Sequence, residues 1–341
     1  MNLRKISLTV TISLLVALPL LAQDLGPTVL GGPSKVGTAT AQFLQIGVSA
    51  RATAMGEAFV SLVDDASAAF YNPGALAIIR QRQAMFNHTT LPAGIRHFFA
   101  TYVQPVSQFG TLAISFILLT TGDMPVTVAF EGPTGETFSA SESAIGLSYA
   151  KMLSNKFSVG GTVKAIFQDF AGFDERAVAF DIGTLYQTGF RQLRLGMSVT
   201  NFGPDLDFGT QKDPSGKVVF DSQSFPLPIT FRFGVSVDVM NRENSKLMLA
   251  GTLVQPNDNL RYETLGFEYN WNDLLFLRGG FKIDEENDPD AAGDTSGFSE
   301  NFSAGAGIKM AFKDFNGRFD FSWVNQQDLN NLTRFSIILS F

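Results

Sequence analysis

Few residues in this chain could do covalent chemistry. Cysteine is absent, and the only histidines are His88 and His97. They stand at the ends of two neighbouring alternating stretches and could face each other across a short link at 90–94. A serine–histidine pair is therefore the one nucleophilic arrangement to weigh. No third orienting residue and no Gly-x-Ser-x-Gly elbow accompany them, so two interfacial or lumen histidines are expected and no catalytic residue is assigned. The run Asp284-Glu285-Glu286-Asn287-Asp288-Pro289-Asp290, with Asp294, could ligate calcium through carboxylates. It lacks the EF-hand spacing and Pro289 interrupts it, so a solvated loop is the expectation. Divalent ions bridging it to lipopolysaccharide are the alternative. No metal and no cofactor is expected. Arg51 with Asp64-Asp65 can form a charge cluster, read as a salt bridge or helix cap, because a buried charge must be paired; the functional alternative is a latch.

The elements that must carry these groups are strands. From about residue 83 onward the apolar residues recur at every second position. Phe335, Ile337, Leu339 and Phe341 share one face while Arg334, Ser336 and Ser340 share the other with Ile338. Phe231, Phe233, Val235 and Val237 alternate with Arg232, Gly234, Ser236 and Asp238. Leu265, Phe267, Tyr269 and Trp271 alternate with Thr264, Gly266, Glu268 and Asn270. The same reading predicts strands near 83–89, 95–104, 109–119, 142–151, 156–168, 176–187, 192–202, 228–239, 246–255, 260–270, 274–283, 301–311, 315–324 and 332–341. Most are about ten residues, the length a tilted strand needs to cross a bilayer. The links near 105–108, 152–155, 188–191, 240–245, 271–273 and 312–314 are short. The alternate links 120–141, 203–227 and 284–300 are long. That sorting points to an outer-membrane barrel rather than a soluble sandwich. The polar face carries Lys164, Arg194, Arg232, Lys282, Lys309 and Arg318 beside Asp181, Asp238, Glu268 and Asp320. A lumen can pair such charges, whereas the bilayer midplane charges roughly 2–4 kcal/mol for each Lys or Arg. In-strand Gly160-Gly161 and Gly279-Gly280 suggest bends or room for a plug.

Composition agrees. The chain has 341 residues, 25 Lys+Arg against 32 Asp+Glu, a formal charge of −7 and only 17% charged residues. An ordinary soluble domain carries about 25%. Without thiols there is no disulfide scaffold or Cys-ligated zinc site. The acidic balance argues against a nucleic-acid binder, and 45% apolar residues argue against a disordered chain. Residues 1–22 read as a cleavable signal peptide, with Arg4 and Lys5 before the apolar run Leu8 to Leu21 and a small residue at Ala22. No Cys stands at the cut for lipid attachment. The expected organisation is a signal peptide at 1–22, a periplasmic segment and lumen plug at 23–80, and a barrel at 81–341. The fold expected is all-β, a transmembrane antiparallel β-barrel of about fourteen strands with a short helical N-terminal plug.

The plug segment does not alternate. Ala50 to Leu62 is Ala-rich and broadly helical in pattern, Asp64-Asp65 follows, then Ala66 to Tyr71, then Asn72-Pro73-Gly74, read as the turn where plug becomes barrel. The stretch Gly47 to Ala77 resembles the N-terminal signature of the PorV/PorQ family of outer-membrane proteins, relatives of the FadL-type channels. The matching positions are Arg51, Ala52, Met55, Gly56, Ala58, Phe59, Asp64, Asp65, Tyr71, Asn72 and Pro73. The order Gly74-Ala75-Leu76 departs from the family's Ala-Gly-Leu.

The resemblance implies a fourteen-stranded FadL-like barrel in the Gram-negative outer membrane, with a gating role for the plug. It leaves two functions open. The first is a non-enzymatic barrel of type IX secretion, binding translocon, attachment or cargo proteins through loops 120–141, 203–227 and 284–300. The second is a FadL-like channel for hydrophobic small molecules, with Phe43, Phe59 and Phe70 flanking its path. Outer-membrane lipid and lipopolysaccharide are expected neighbours in either case.

Overall fold

A computed structural model describes residues 37–128, 132–170, 173–209, 211–212, 218–220, 223–284, 302–325 and 331–341. Fourteen antiparallel strands close into one barrel. They are β1 (Gln83–Thr90), β2 (Arg96–Val106), β3 (Gly110–Thr120), β4 (Ala140–Met152), β5 (Phe157–Phe170), β6 (Phe173–Gln187) and β7 (Arg194–Phe202). There follow β8 (Thr230–Arg242), β9 (Ser245–Pro256), β10 (Tyr262–Trp271), β11 (Leu275–Asp284), β12 (Phe302–Ala311), β13 (Asn316–Val324) and β14 (Leu332–Ser340). Each strand pairs with its sequence neighbour, and β14 returns to β1 in the register Gln83↔Ser340 to Thr90↔Thr333. Closure leaves no unpaired edge, the condition for strands to sit in lipid.

The alternation sorts as its period demands. Leu112, Ile114 and Phe116, Leu265 and Phe267, and Phe335 and Ile337 are exposed on the outside. Their polar neighbours in sequence turn inward and are buried, among them Arg232, Glu268, Asp320 and Arg334.

The turns β2–β3, β4–β5, β6–β7, β8–β9, β10–β11 and β12–β13 are short and share one end with the start of β1. The opposite end carries the three longest links, between β3 and β4, β7 and β8, and β11 and β12, beside short ones. Only residues 171–172 join β5 to β6. Length sits in the strands instead, since β5 and β6 run to 14 and 15 residues. Two long links also form small sheets of their own. Met124–Val128 pairs with Gly132–Phe138, and Leu206–Phe208 with Gln223–Phe225.

The chain before β1 lies against the lumen face. At the long-loop end, the Gly37 amide donates to the Asp258 carbonyl and the Thr40 amide to that of Pro226, both at 3.1 Å. Gln45 donates to the Asp258 carboxylate at 2.9 Å. The chain then descends through α1 (Ala50–Ala54) and turns back through α2 (Ala68–Tyr71) and a 3-10 turn at Pro73–Ile78.

The long helix expected over Ala50 to Leu62 is cut short. Gly56 and Glu57 both have positive φ, +63° and +65°. The reversal seats Gly56 on β11, where an added Cβ would meet the Phe281 amide nitrogen at 2.9 Å.

Candidate functional site

Apolar and charged side chains concentrate on different parts of the lumen wall, although a buried Lys164–Asp181 pair at 2.8 Å bridges β5 and β6. On β1 to β6 the inward side chains include Met85, Phe99, Val103, Ile117, Ile166 and Leu185, all buried. They join one apolar cluster with the plug's Phe43, Leu44, Phe59, Phe70 and Leu76. Phe70 meets Phe99 edge-on at 6.3 Å, and Tyr71 meets Phe59 at 5.4 Å and Phe70 at 5.0 Å. On β10 to β14 the inward groups include the charged Glu268, Arg278, Asp320 and Arg334 among Thr264, Ser303, Ser322 and Ser336.

There the plug and wall close a ring of alternating charge. Arg51 on α1 grips both oxygens of Glu268 on β10, Nε to Oε2 at 2.7 Å and Nη2 to Oε1 at 2.8 Å. Its Nη1 reaches Asp65 at 3.1 Å. Asp65 receives Arg318 Nη2 at 2.5 Å, and Arg318 Nε pairs with Asp320 at 2.8 Å, both on β13. Asp320 holds Arg278 of β11 at 2.7 Å, and Arg278 returns to Glu268 at 2.5 Å. Three cations and three carboxylates thus close on themselves. Asp64, partly exposed, hangs on Arg51 at 2.5 Å with Arg194 at 4.0 Å. Burial opposes the ionised form of Asp65. Arg318, Arg51 and the Ser67 hydroxyl outweigh it and hold the carboxyl well below the usual carboxylate range. Charges buried this deeply are tolerable only when each is paired and hydrogen-bonded. Arg51 also lies over the Phe59 ring, 5.2 Å from its centroid. The sequence pointed to Arg51, Asp64, Asp65, Glu268, Arg318 and Asp320. It missed Arg278, and it missed that β12 must give way. A Cβ on Gly307 would collide with Asp320 Oδ1 and come within 2.8 Å of Arg278 Nη1.

The ring lies at the short-turn end, near the last residues of β10 and the first of β11 and β13. A second polar patch ties the plug to the barrel seam. Arg334 donates to Thr89 at 2.7 Å and to Thr53, with Glu57 at 3.7 Å. Ser336 accepts the Ala50 amide and donates to Asn87, both at 2.8 Å.

Elsewhere the plug's backbone rests directly on wall glycines. A Cβ on Gly160 or Gly183 would strike Pro73 and Asn72, one on Gly196 would strike Val60 and Ser61, and one on Gly266 or Gly280 would strike Met55 and Gly56. Asn72 and Pro73 are therefore not the junction of plug and barrel, as their sequence position suggested. The chain enters β1 only at Gln83. Asn72 is fully buried and spends both ends of its amide on fixing the seat. Nδ2 donates to Val60 at 2.9 Å and to Thr184 of β6 at 3.0 Å, while Oδ1 accepts from Gly74 at 3.1 Å. Asn72→Ala strands buried carbonyl and amide groups and is expected to cost roughly 1–3 kcal/mol per lost partner. Hydrogen exchange at 60–74 checks it, and unchanged protection there would count against the assignment.

The histidine pair does not form. His97 turns inward and is buried, whereas His88 turns outward and stacks on Phe98 at 4.6 Å. In register His88 opposes Phe98 and His97 opposes Thr89, so the two rings sit on opposite faces of the wall. The acidic run after Asp284 lies outside the described residues.

No protein-family model and no curated protein matches this chain. Among solved structures it is similar to the toluene transporter TodX of Pseudomonas putida, at 12% identity over 86% of this chain and 97% of that one, with a TM-score of 0.54. It is similar in the same measure to the monoaromatic hydrocarbon channel CymD, at 12% identity, the same two coverages and a TM-score of 0.53. At such identity the likeness concerns the fold alone, a closed antiparallel barrel of fourteen strands.

Proposed function

We propose that this chain is a non-enzymatic outer-membrane channel for apolar small molecules, with the segment before β1 as its hatch. The observation that carries the reading is the division of the lumen within a fold shared with two hydrocarbon channels. A mainly apolar face on β1 to β6, interrupted by the Lys164–Asp181 pair, offers a path, and a charge-rich face on β10 to β14 holds the hatch by contacts that can be broken and remade. The long-loop end then faces outward and the short-turn end faces the periplasm. Residues 1–22 serve as the leader, 23–80 as the periplasmic segment and hatch, and 81–341 as the barrel. Arg51, Asp64 and Asp65 latch the hatch, while Met55, Gly56, Phe59, Tyr71, Asn72 and Pro73 seat it.

The test is uptake. In cells lacking their own hydrocarbon channels, expression is expected to accelerate entry of labelled toluene and leave entry of a sugar of similar size unchanged. Equal entry of toluene with and without the protein would sink the reading.

The resemblance of Gly47 to Ala77 to the PorV/PorQ signature supports a second reading, a type IX secretion barrel that engages cargo or translocon. The hairpins beyond the long-loop end, with Val128 and Phe138 exposed, offer it a surface. Affinity purification from native membranes separates the two. Co-purified translocon or secreted proteins favour secretion, and a barrel recovered alone with bound lipid or hydrocarbon favours the channel.

A further inference from the structure

Charge is divided along the barrel axis. The short-turn rim carries Arg80, Lys151, Lys156, Arg242, Lys246 and Lys313, all exposed, against the exposed Glu243 and Asp314. Asp273, the other carboxylate of that rim's turns, is already paired with Lys309 at 2.6 Å. The long-loop end is the reverse. Among the described residues there, Asp123, Glu136, Asp169, Asp174, Asp205 and Asp207 are exposed, against Arg96 and Arg176. A chain of net charge −7 thus presents a basic rim at one mouth.

That rim is also aromatic and apolar. Phe109, in the β2–β3 turn, is 67% exposed; Phe190, in the β6–β7 turn, is 66% exposed; and Phe341, beside the start of β1, is 55% exposed. Leu153, Leu274 and Phe312 occupy three further turns and are exposed as well. Phe312 stacks on Phe315 at 4.6 Å, and Phe315 lies 6.3 Å from Phe341. Exposed rings at the ends of membrane strands settle at the headgroup level of a bilayer. Cations interleaved with them are then held among lipid phosphates.

We propose that the short-turn rim is a collar that binds anionic phospholipid headgroups. The inference takes from the proposed function only that this end lies in the phospholipid leaflet facing the periplasm. A zwitterionic headgroup offers the cations no net charge, whereas a phosphatidylglycerol headgroup offers one full negative charge to each. Attraction of a basic residue near an anionic lipid surface favours binding by about fivefold per cation.

The test places the purified barrel in nanodiscs of equal phosphatidylglycerol and phosphatidylcholine, and native mass spectrometry counts the lipids retained after release. The wild-type barrel is expected to keep phosphatidylglycerol in excess. The triple variant Lys151→Gln, Arg242→Gln, Lys313→Gln touches neither the charge ring nor the hatch, and is expected to lose that excess by at least about fivefold. Heat-modified gel mobility confirms that it folds. The control variant Arg96→Gln, Arg176→Gln, at the opposite mouth, is expected to retain it. No excess in the wild type, or an excess that survives in the triple variant, overturns the collar. An equal loss in the control variant also overturns it, since diffuse charge would then suffice. Toluene entry reads separately from lipid selectivity, so the two proposals fail independently.

Discussion

An Arg51→Ala barrel is expected to fold, insert and leak. The ring of alternating charge passes through this guanidinium twice, at Glu268 and at Asp65. Removing it leaves Glu268 with Arg278 alone and Asp65 with Arg318 alone, and leaves Asp64 with only the distant Arg194. Breaking a buried pair by deleting one partner costs roughly 3–5 kcal/mol, mostly as the penalty on the charge left behind. Here each stranded carboxylate keeps one cation, so the lower end of that range is expected. The loss falls on the hatch rather than the barrel, because no strand pairing involves Arg51. The expected readout is frequent opening of single channels in planar bilayers, with faster proteolysis between residues 48 and 79. A double-mutant cycle with Glu268→Ala should show strong coupling, as contacting charges do. Wild-type closure together with additive effects would show that the hatch is seated by something other than the ring.

The barrel was legible in the sequence because each strand states its period independently of its partners. Phe335 to Phe341 reads as a wall segment whether or not β1 is known, and all fourteen predicted spans overlap observed strands. Two kinds of information were not local. The ring takes Arg51 and Asp65 from the hatch, Glu268 from β10, Arg278 from β11 and Arg318 with Asp320 from β13. Alternation places the strand residues on the lumen face but cannot say which charge meets which. Arg278 shows why, since it is two residues from Gly280 on the same face and only the register brings it to Asp320 through the space left by Gly307. The disfavoured histidine pair is absent for a related reason. A link of five residues between facing strands suggested that His88 and His97 meet, yet the pairing His88↔Phe98 puts them one step out of phase. A one-residue offset in a strand moves a side chain to the opposite face. The Ala50 to Leu62 helix failed because propensity yields to contact. Alanines favour the helix, but Gly56 and Glu57 turn left-handed where the chain packs onto β11.

Neighbouring glycines on β11 make the sharpest test of how the hatch is seated. Gly279 faces the membrane, where an added Cβ would meet Phe267 Cε1 at 2.5 Å. That ring ends a side chain on the lipid side and can swing aside. Gly280 faces the lumen, and its Cβ would strike the backbone of Met55 and Gly56. Backbone cannot rotate away, so either the hatch or the wall must move. The wall is held by paired strands on both sides, β10 through Gly266↔Gly280 and β12 through Gly280↔Ser303. The hatch has only its side-chain ties there, so it is the part that yields. Gly280→Ala is expected to destabilise the seated hatch by roughly 1–3 kcal/mol, the usual cost of overpacking. Gly280→Val should expel the turn at Met55–Glu57 and with it Arg51 from the ring. The barrel should keep its heat-modified mobility while protease reaches the hatch and conductance rises. Gly279→Ala should change none of these. A Gly280→Val protein with its hatch still protected would mean that β11 bends instead, and that the lumen is closed by the charge ring and the apolar face alone.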